Sequence, residues 1–201
     1  MKHTLLIKDW LSSFLSLLFP RCCVVCGRPL AKGEECICTV CNINLPRTNY
    51  HLRKDNPVER LFWGQIPLER ATSFFFYEKG SDFRLILHRL KYGGQKEIGA
   101  IMGRYMAAEL LSSNFFQGID VIIPIPLHKK KQQIRGYNQS EWIARGIAVV
   151  TGIPIDTESI LRKKNTETQT RKSVFERRDN VEGIFELQHP ETLAGKHILI
   201  V

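Results

Sequence analysis

The chain has 201 residues, 43% hydrophobic and 24% charged, which suffices for a buried core and excludes a disordered or fibrous protein. Lysine and arginine number 29 against 20 aspartates and glutamates, and the net charge of +9 favours nucleic acid, phosphorylated metabolites or an acidic membrane surface as partners. All six cysteines lie between Cys22 and Cys41, so the large cysteine-free remainder excludes a disulfide-framed miniprotein.

Taken in chain order, Leu5, Leu6, Ile7, Trp10, Leu11, Phe14, Leu15, Leu17, Leu18 and Phe19 predict an amphipathic helix, ended by Pro20. Lys8 and Asp9 interrupt it, and it falls short of the roughly 20 apolar residues a spanning helix needs. Docking on the main domain or peripheral contact with a membrane are its two uses. No small-x-small cleavage site precedes the cysteines. The expected location is the cytoplasm, with the inner face of the membrane in reach.

Cys23-x-x-Cys26 and Cys38-x-x-Cys41 follow, separated by eleven residues. Each knuckle aims two sulfurs at one point, so four thiolates can surround one zinc ion and leave no open coordination position. Such a site is structural, and its binding energy folds a segment too small for its own core. A disulfide pairing and an iron–sulfur cluster are the alternatives left by the spacing. Cys22 and Cys36 are read as bystanders, because Cys36 to Cys41 is not a knuckle spacing. The first domain is placed at residues 1–48 and the second at 49–201.

Residues 47–59 read as a linker containing Asn56-Pro57, and the Phe-rich stretch from Ala71 to Glu78 as a strand. One helix is predicted from an Ser81 cap to Gly93-Gly94, and a second over about Lys96 to Ser112. The β-branched run from Ile119 to Pro126 predicts a strand covered on both faces. Asn138 and Glu141 resemble a capping box for a helix ending at Gly152. Short strands are expected at Ile160-Leu161, at Ile184 to Leu187 and at His197 to Val201. Strands alternating with helices imply parallel βαβ units and a layered α/β fold.

Between the buried strand and the Asn138 helix lies a basic loop with Lys129, Lys130, Lys131 and Arg135. At the carboxyl end of a parallel strand such a loop suits a phosphate or pyrophosphate, and the plainer reading is a solvated lysine loop. A second basic stretch, Lys163 to Asn180, contains Lys163, Arg171 and Arg177 and reads as a flap over a phosphorylated ligand or a plain disordered loop. No Walker-type loop, G-x-S-x-G elbow or H-E-x-x-H helix occurs.

Several of these residues together resemble the ComF family. They are Leu18-Phe19-Pro20, the knuckle ending in Gly27, Leu45-Pro46, Leu90-Lys91-Tyr92, Pro124 to His128, Arg135-Gly136-Tyr137-Asn138-Gln139-Ser140-Glu141, and Gln169-Thr170 with Arg177, Asn180, Gly183 and Phe185. The resemblance implies a zinc-ribbon-like module followed by a type I phosphoribosyltransferase-like domain with a five-stranded parallel sheet. It implies a pyrophosphate loop after Pro126, and a ribose-phosphate loop with two aspartates after the strand ending at Val201. The printed sequence stops there, so the sheet domain is expected to be incomplete at its C-terminal end, and no catalytic residue is assigned. Implied ligands are phosphoribosyl pyrophosphate with magnesium, or a nucleotide, in DNA uptake or the use of DNA-derived nucleotides. The alternative is a non-enzymatic adaptor for single-stranded DNA or for competence helicase and recombination proteins.

Overall fold

The computed structural model describes residues 20–165 and 183–201. The predicted first helix, and most of the basic stretch after Lys163 with Arg171 and Arg177, lie outside the described residues. The chain divides into two compact units, one running to Arg47 and including Phe75–Leu87, the other combining Thr48–Phe74 with His88–Val201.

The first unit is organised by backbone bonds around its cysteines. Cys23 donates its N–H to the Arg28 carbonyl at 2.8 Å, and Val24 to that of Cys36 at 2.8 Å. Gly27 closes the knuckle with φ +72, a conformation in which a side chain would be strained. A short helix, α1 (Thr39–Ile43), starts where the Cys38 sulfur accepts the Cys41 N–H. The Glu34 carboxylate accepts the backbone N–H groups of Thr39 at 2.6 Å and Ala31 at 2.7 Å. Those two donors hold its carboxyl below the usual carboxylate range.

In the second unit, the stretch read as a linker contains a 3-10 turn (Tyr50–Leu52) and helix α2 (Pro57–Arg60). Asn56 caps α2 in a full capping box with Glu59, and Pro57 occupies the first turn. An Asn-Pro pair marks a helix start as readily as a break, because proline at the first helical position gives up only an orphan donor. Asn56 is 3% exposed and its amide donates to the carbonyls of Tyr50, Arg53 and Ala71. The expected Phe-rich strand is absent as a strand. The backbone of Ala71 to Phe74 is taken up by Asn56 and Thr48, and Phe75 makes a single bridge to Arg47.

Helix α3 (Arg84–Tyr92) follows, with Gly93 and a left-handed Gly94 after it, and α4 (Glu97–Leu110) runs on into a 3-10 turn (Leu111–Ser113). Strand β1 (Val121–Ile123) is buried throughout. The basic segment, read as a loop, is a helix, α5 (Lys129–Arg135), capped by His128 and ended by a left-handed Gly136. Its periodicity was invisible because it buries no residue, and Ile134 is 85% exposed. Helix α6 (Gln139–Thr151) is capped by Asn138, which accepts the Ser140 N–H. The predicted capping box does not form, since Glu141 turns to Arg145 at 2.7 Å.

The remaining elements are β2 (Ile160–Arg162), β3 (Phe185–Leu187), a short helix α7 (Pro190–Leu193) and β4 (Ile198–Ile200). β1 pairs with β4 in parallel, Ile122 opposite Leu199, and Ile122 also bridges Ile155 in parallel on its other edge. β2 and β3 instead pair antiparallel, so the expectation of parallel units throughout is corrected. The unit is a mixed α/β fold around a small parallel sheet.

β1 sets the core because its side chains alternate. Ile122 packs with Ala107, Ala144 and Ile147 from α4 and α6, while Val121 and Ile123 pack with Leu193 and Ile160. The helices can approach so closely only because glycine lies at the contact. A Cβ on Gly103 would lie 2.2 Å from the Ile143 carbonyl oxygen, and one on Gly146 would lie 2.0 Å from that of Ala100.

Backbone cannot yield as a flexible side chain can, so Gly146→Ala is expected to destabilise the protein by about 1–3 kcal/mol. The urea midpoint should fall at unchanged slope. Gly80→Ala, with open space around its Cβ, should leave the midpoint where it is. A second expectation concerns His51, whose pKa burial pushes below its ordinary value, with Arg70 adding to the shift and Glu109 opposing it. The unfolded chain then takes up the proton first. Stability is therefore full above about pH 6.5 and falls as the pH drops from there towards the lower folded value. Urea titrations across that range should show a shallower acid slope in His51→Gln.

Candidate functional site

Two groups of side chains carry chemistry, one in each unit. In the first, Cys23, Cys26, Cys38 and Cys41 bring their sulfurs within 4.8 Å of one another. Cys26 and Cys38 are 3.8 Å apart. A tetrahedron with metal–sulfur bonds of about 2.3 Å has an edge of about 3.8 Å. Backbone N–H groups already point at the sulfurs, from Cys38 to Cys23 at 3.3 Å and from Cys41 to Cys38 at 3.5 Å. Cys23, Cys38 and Cys41 are buried and Cys26 is exposed.

The thiols differ in their readiness to ionise. The Arg28 side chain, 3.4 Å from the Cys26 sulfur, is the main cause of lowering that thiol to about 6. Burial pushes Cys41 the other way. Cys26 therefore ionises more readily than Cys41. Cys22 is exposed, with its thiol against the Pro20 carbonyl, and Cys36 is buried. The sequence therefore selected the four sulfurs that converge. This arrangement can hold a metal ion and is compatible with structural zinc.

The second group lies beyond the carboxyl end of β1. A cavity of about 440 Å³ opens there, lined by the basic Lys129, Arg162 and Lys163, by His128 and Asn138, and by one acid, Glu141, which is paired with Arg145. Asn138 fixes the strand exit by donating from its amide to the Ile125 carbonyl at 3.0 Å while capping α6. Lys163 pairs with Glu186 at 2.7 Å, but both side chains are substantially exposed, so an incoming anion can take Lys163 over at small cost.

The predicted cations are divided by the helical periodicity of α5. Lys129 faces this cavity, and Lys163 joins it from the far side. Lys131 is held below its ordinary pKa by burial and by the charges of Arg162 and Arg135. Arg135 donates to the Gln139 side chain at 2.7 Å and lies over the Tyr92 ring. Lys130 lies outside the cavity lining, while Arg171 and Arg177 are outside the described residues. Sequence reading missed Arg162, which sits in a strand of three residues with no motif around it.

A larger cavity, about 780 Å³, lies towards the opposite end of β1. Its charged groups are already engaged. Glu69 meets His197 at 3.4 Å, and Arg70 donates to the Ser113 and His51 carbonyls while stacking on Phe115. The cationic cavity at the carboxyl end is the better anion site despite its smaller volume.

Together these features describe an α/β protein with a four-cysteine cluster in one unit and a basic cavity at a strand end in the other. The chain is 30% identical over 200 residues to the DNA utilization protein YhgH of Escherichia coli O157:H7, covering 92% of this chain and 85% of that protein. It is 25% identical over 176 residues to competence protein ComFC of Bacillus subtilis, covering 85% and 71% respectively. Competence protein F of Haemophilus influenzae is 29% identical over 106 residues, 51% of this chain and 46% of that protein. The chain belongs to the ComF family. No family model matches it, and no solved structure does.

Purified protein is expected to carry close to one zinc per chain by elemental analysis. Cys26→Ser should lose the metal and much of the thermal stability, whereas Cys22→Ser should keep both. Retention of metal in Cys26→Ser would remove that sulfur from the ligand set.

Proposed function

We propose that the protein serves DNA uptake or the use of incoming DNA, and that its second unit binds phosphoribosyl pyrophosphate or a nucleotide in the cavity beside α5. The carrying observation is the convergence of Lys129, Arg162 and Lys163 on one cavity beyond the carboxyl end of the parallel strand β1. Open α/β sheets bind ligands at that end, and the volume lies within the usual range for small-ligand sites. The names of the relatives, DNA utilization and competence proteins, supply the biological setting. In this reading the domain is phosphoribosyltransferase-like, and magnesium accompanies the pyrophosphate as its counter-ion. Where chemistry follows, a nucleophile displaces pyrophosphate from the anomeric carbon of the ribose, and fixed cations stabilise the charge that develops on the leaving group.

Isothermal titration with phosphoribosyl pyrophosphate and magnesium tests this reading. Lys129→Ala combined with Lys163→Ala should weaken binding at least about tenfold, roughly 1.4 kcal/mol. No measurable affinity in the wild-type chain would sink it.

A second reading, favoured by the relatives' names and the net charge of +9, is a non-enzymatic adaptor for single-stranded DNA. Its affinity for oligonucleotides should fall steeply with salt, and alanine at Lys129, Lys130 and Lys131 together should flatten that slope. An unchanged slope would take the DNA contact away from α5.

A further inference from the structure

The exposed end of α3 carries an arrangement that neither the metal module nor the cavity uses. Tyr92, the last residue of α3, is 61% exposed, yet its surroundings are fixed. The Tyr137 hydroxyl donates to the Leu90 carbonyl at 2.6 Å, and both residues are buried. This bond ties the end of α3 to the turn between α5 and α6. The Arg135 guanidinium lies 5.7 Å from the Tyr92 ring centroid and is itself held by the buried Gln139. The His88 ring sits one helical turn back, 5.2 Å away and tilted by 50°. Gly93 ends the helix where a Cβ would come within 2.9 Å of the Arg89 carbonyl oxygen, and Gly94 turns the chain away with φ +67. The ring is therefore presented to solvent on a rigid support.

The charge around it is mostly positive. Residues 88–96 include Arg89, Lys91 and Lys96 and no acid, and residues 128–140 include Lys129, Lys130, Lys131 and Arg135 and no acid. Glu97 follows the first stretch and acts on Tyr137, and Glu141, which follows the second, is paired with Arg145. These stretches are separated in sequence, and the Tyr137–Leu90 and Arg135–Tyr92 contacts bring them together. An aromatic face set among cations matches a ligand that pairs an open π-surface with a chain of phosphates. Free phosphate needs no ring, and a duplex keeps its bases stacked inside.

We infer that Tyr92, flanked by His88 and Arg135, is a base-stacking platform for single-stranded nucleic acid, with Lys91 and Arg135 holding the adjoining phosphates. The inference rests on the DNA-binding reading above and places its contact at the α3 end, outside the cavity that would take phosphoribosyl pyrophosphate. Stacking on an aromatic is tolerant of base identity, so the platform accepts any unpaired base.

Fluorescence anisotropy with a labelled oligothymidylate, and with an abasic strand of equal length, tests it. Tyr92→Ala should weaken oligothymidylate binding roughly 5- to 150-fold, the range for loss of one stacked base. Tyr92→Phe should restore it. The salt slope should stay the same in Tyr92→Ala, because no phosphate contact is lost, and should become shallower in Lys91→Ala. Binding of the abasic strand should be indifferent to Tyr92. Urea midpoints of the Tyr92 variants should match the wild type, since the side chain is exposed. Wild-type binding with no loss in Tyr92→Ala, or equal affinity for the abasic strand, overturns the platform and leaves the DNA reading standing. Failure of the wild-type chain to bind any oligonucleotide overturns that reading and the platform with it.

Discussion

The second unit depends on the contact of two helices at backbone distance. Gly103 in α4 and Gly146 in α6 each face a carbonyl of the other helix, where a single methyl group would collide. That approach lets small residues, Ala107 and Ala144, complete a dry layer over Ile122. It also fixes the amino end of α6, from which Asn138 reaches the strand exit at Ile125 and Gln139 receives Arg135. The basic cavity and the Tyr92 support are both consequences of where α6 begins. Interiors are packed too densely for such a contact to relax locally, so a change at Gly146 is expected to be felt at the cations.

Charge is distributed with a similar economy. Acidic groups in the second unit tend to be used internally. Glu59 closes a capping box, Glu141 holds Arg145 and Asp120 accepts the His197 N–H. Several cations lie over aromatic rings: the Lys96 ammonium and the Arg145 guanidinium sit 4.8 Å and 5.1 Å from the Trp142 ring centroid. The field outside the protein is therefore dominated by lysine and arginine, which raises the encounter rate with polyanions before any specific contact is made. Burial holds Lys131 below its ordinary pKa, with the charges of Arg162 and Arg135 adding to the shift, and burial lowers Arg162.

The first unit is governed by different physics. Around the cysteines, among the described residues, helix α1 is five residues long and the backbone bonds are mostly turns, so little regular structure orders this stretch of chain. The sulfurs supply what the small core lacks once a cation joins them. Arg28 beside Cys26 and the N–H groups aimed at Cys23 and Cys38 show the local sequence arranged to receive negative charge on sulfur.

The sequence by itself determined the four cysteines whose sulfurs converge, the buried strand, the caps at Asn138 and Gly152, and the basic character of the segment after Pro126. Each rests on information within a few residues: knuckle spacing, a β-branched run, a capping side chain, a cluster of lysines. The tertiary structure decided what local patterns do not encode. It turned the basic loop into a helix with no buried residue, which has no apolar stripe to announce it. It paired β2 with β3 antiparallel and dissolved the Phe-rich strand into bonds with Asn56 and Thr48. It also sorted the cations by facing, sending Lys129 to the cavity and Arg135 to Tyr92. The physical reason is that side-chain direction on a helix, and the meeting of segments far apart in sequence, follow from the close α4–α6 packing and the hydrogen bonds it positions. Neither is a property of any short stretch of residues.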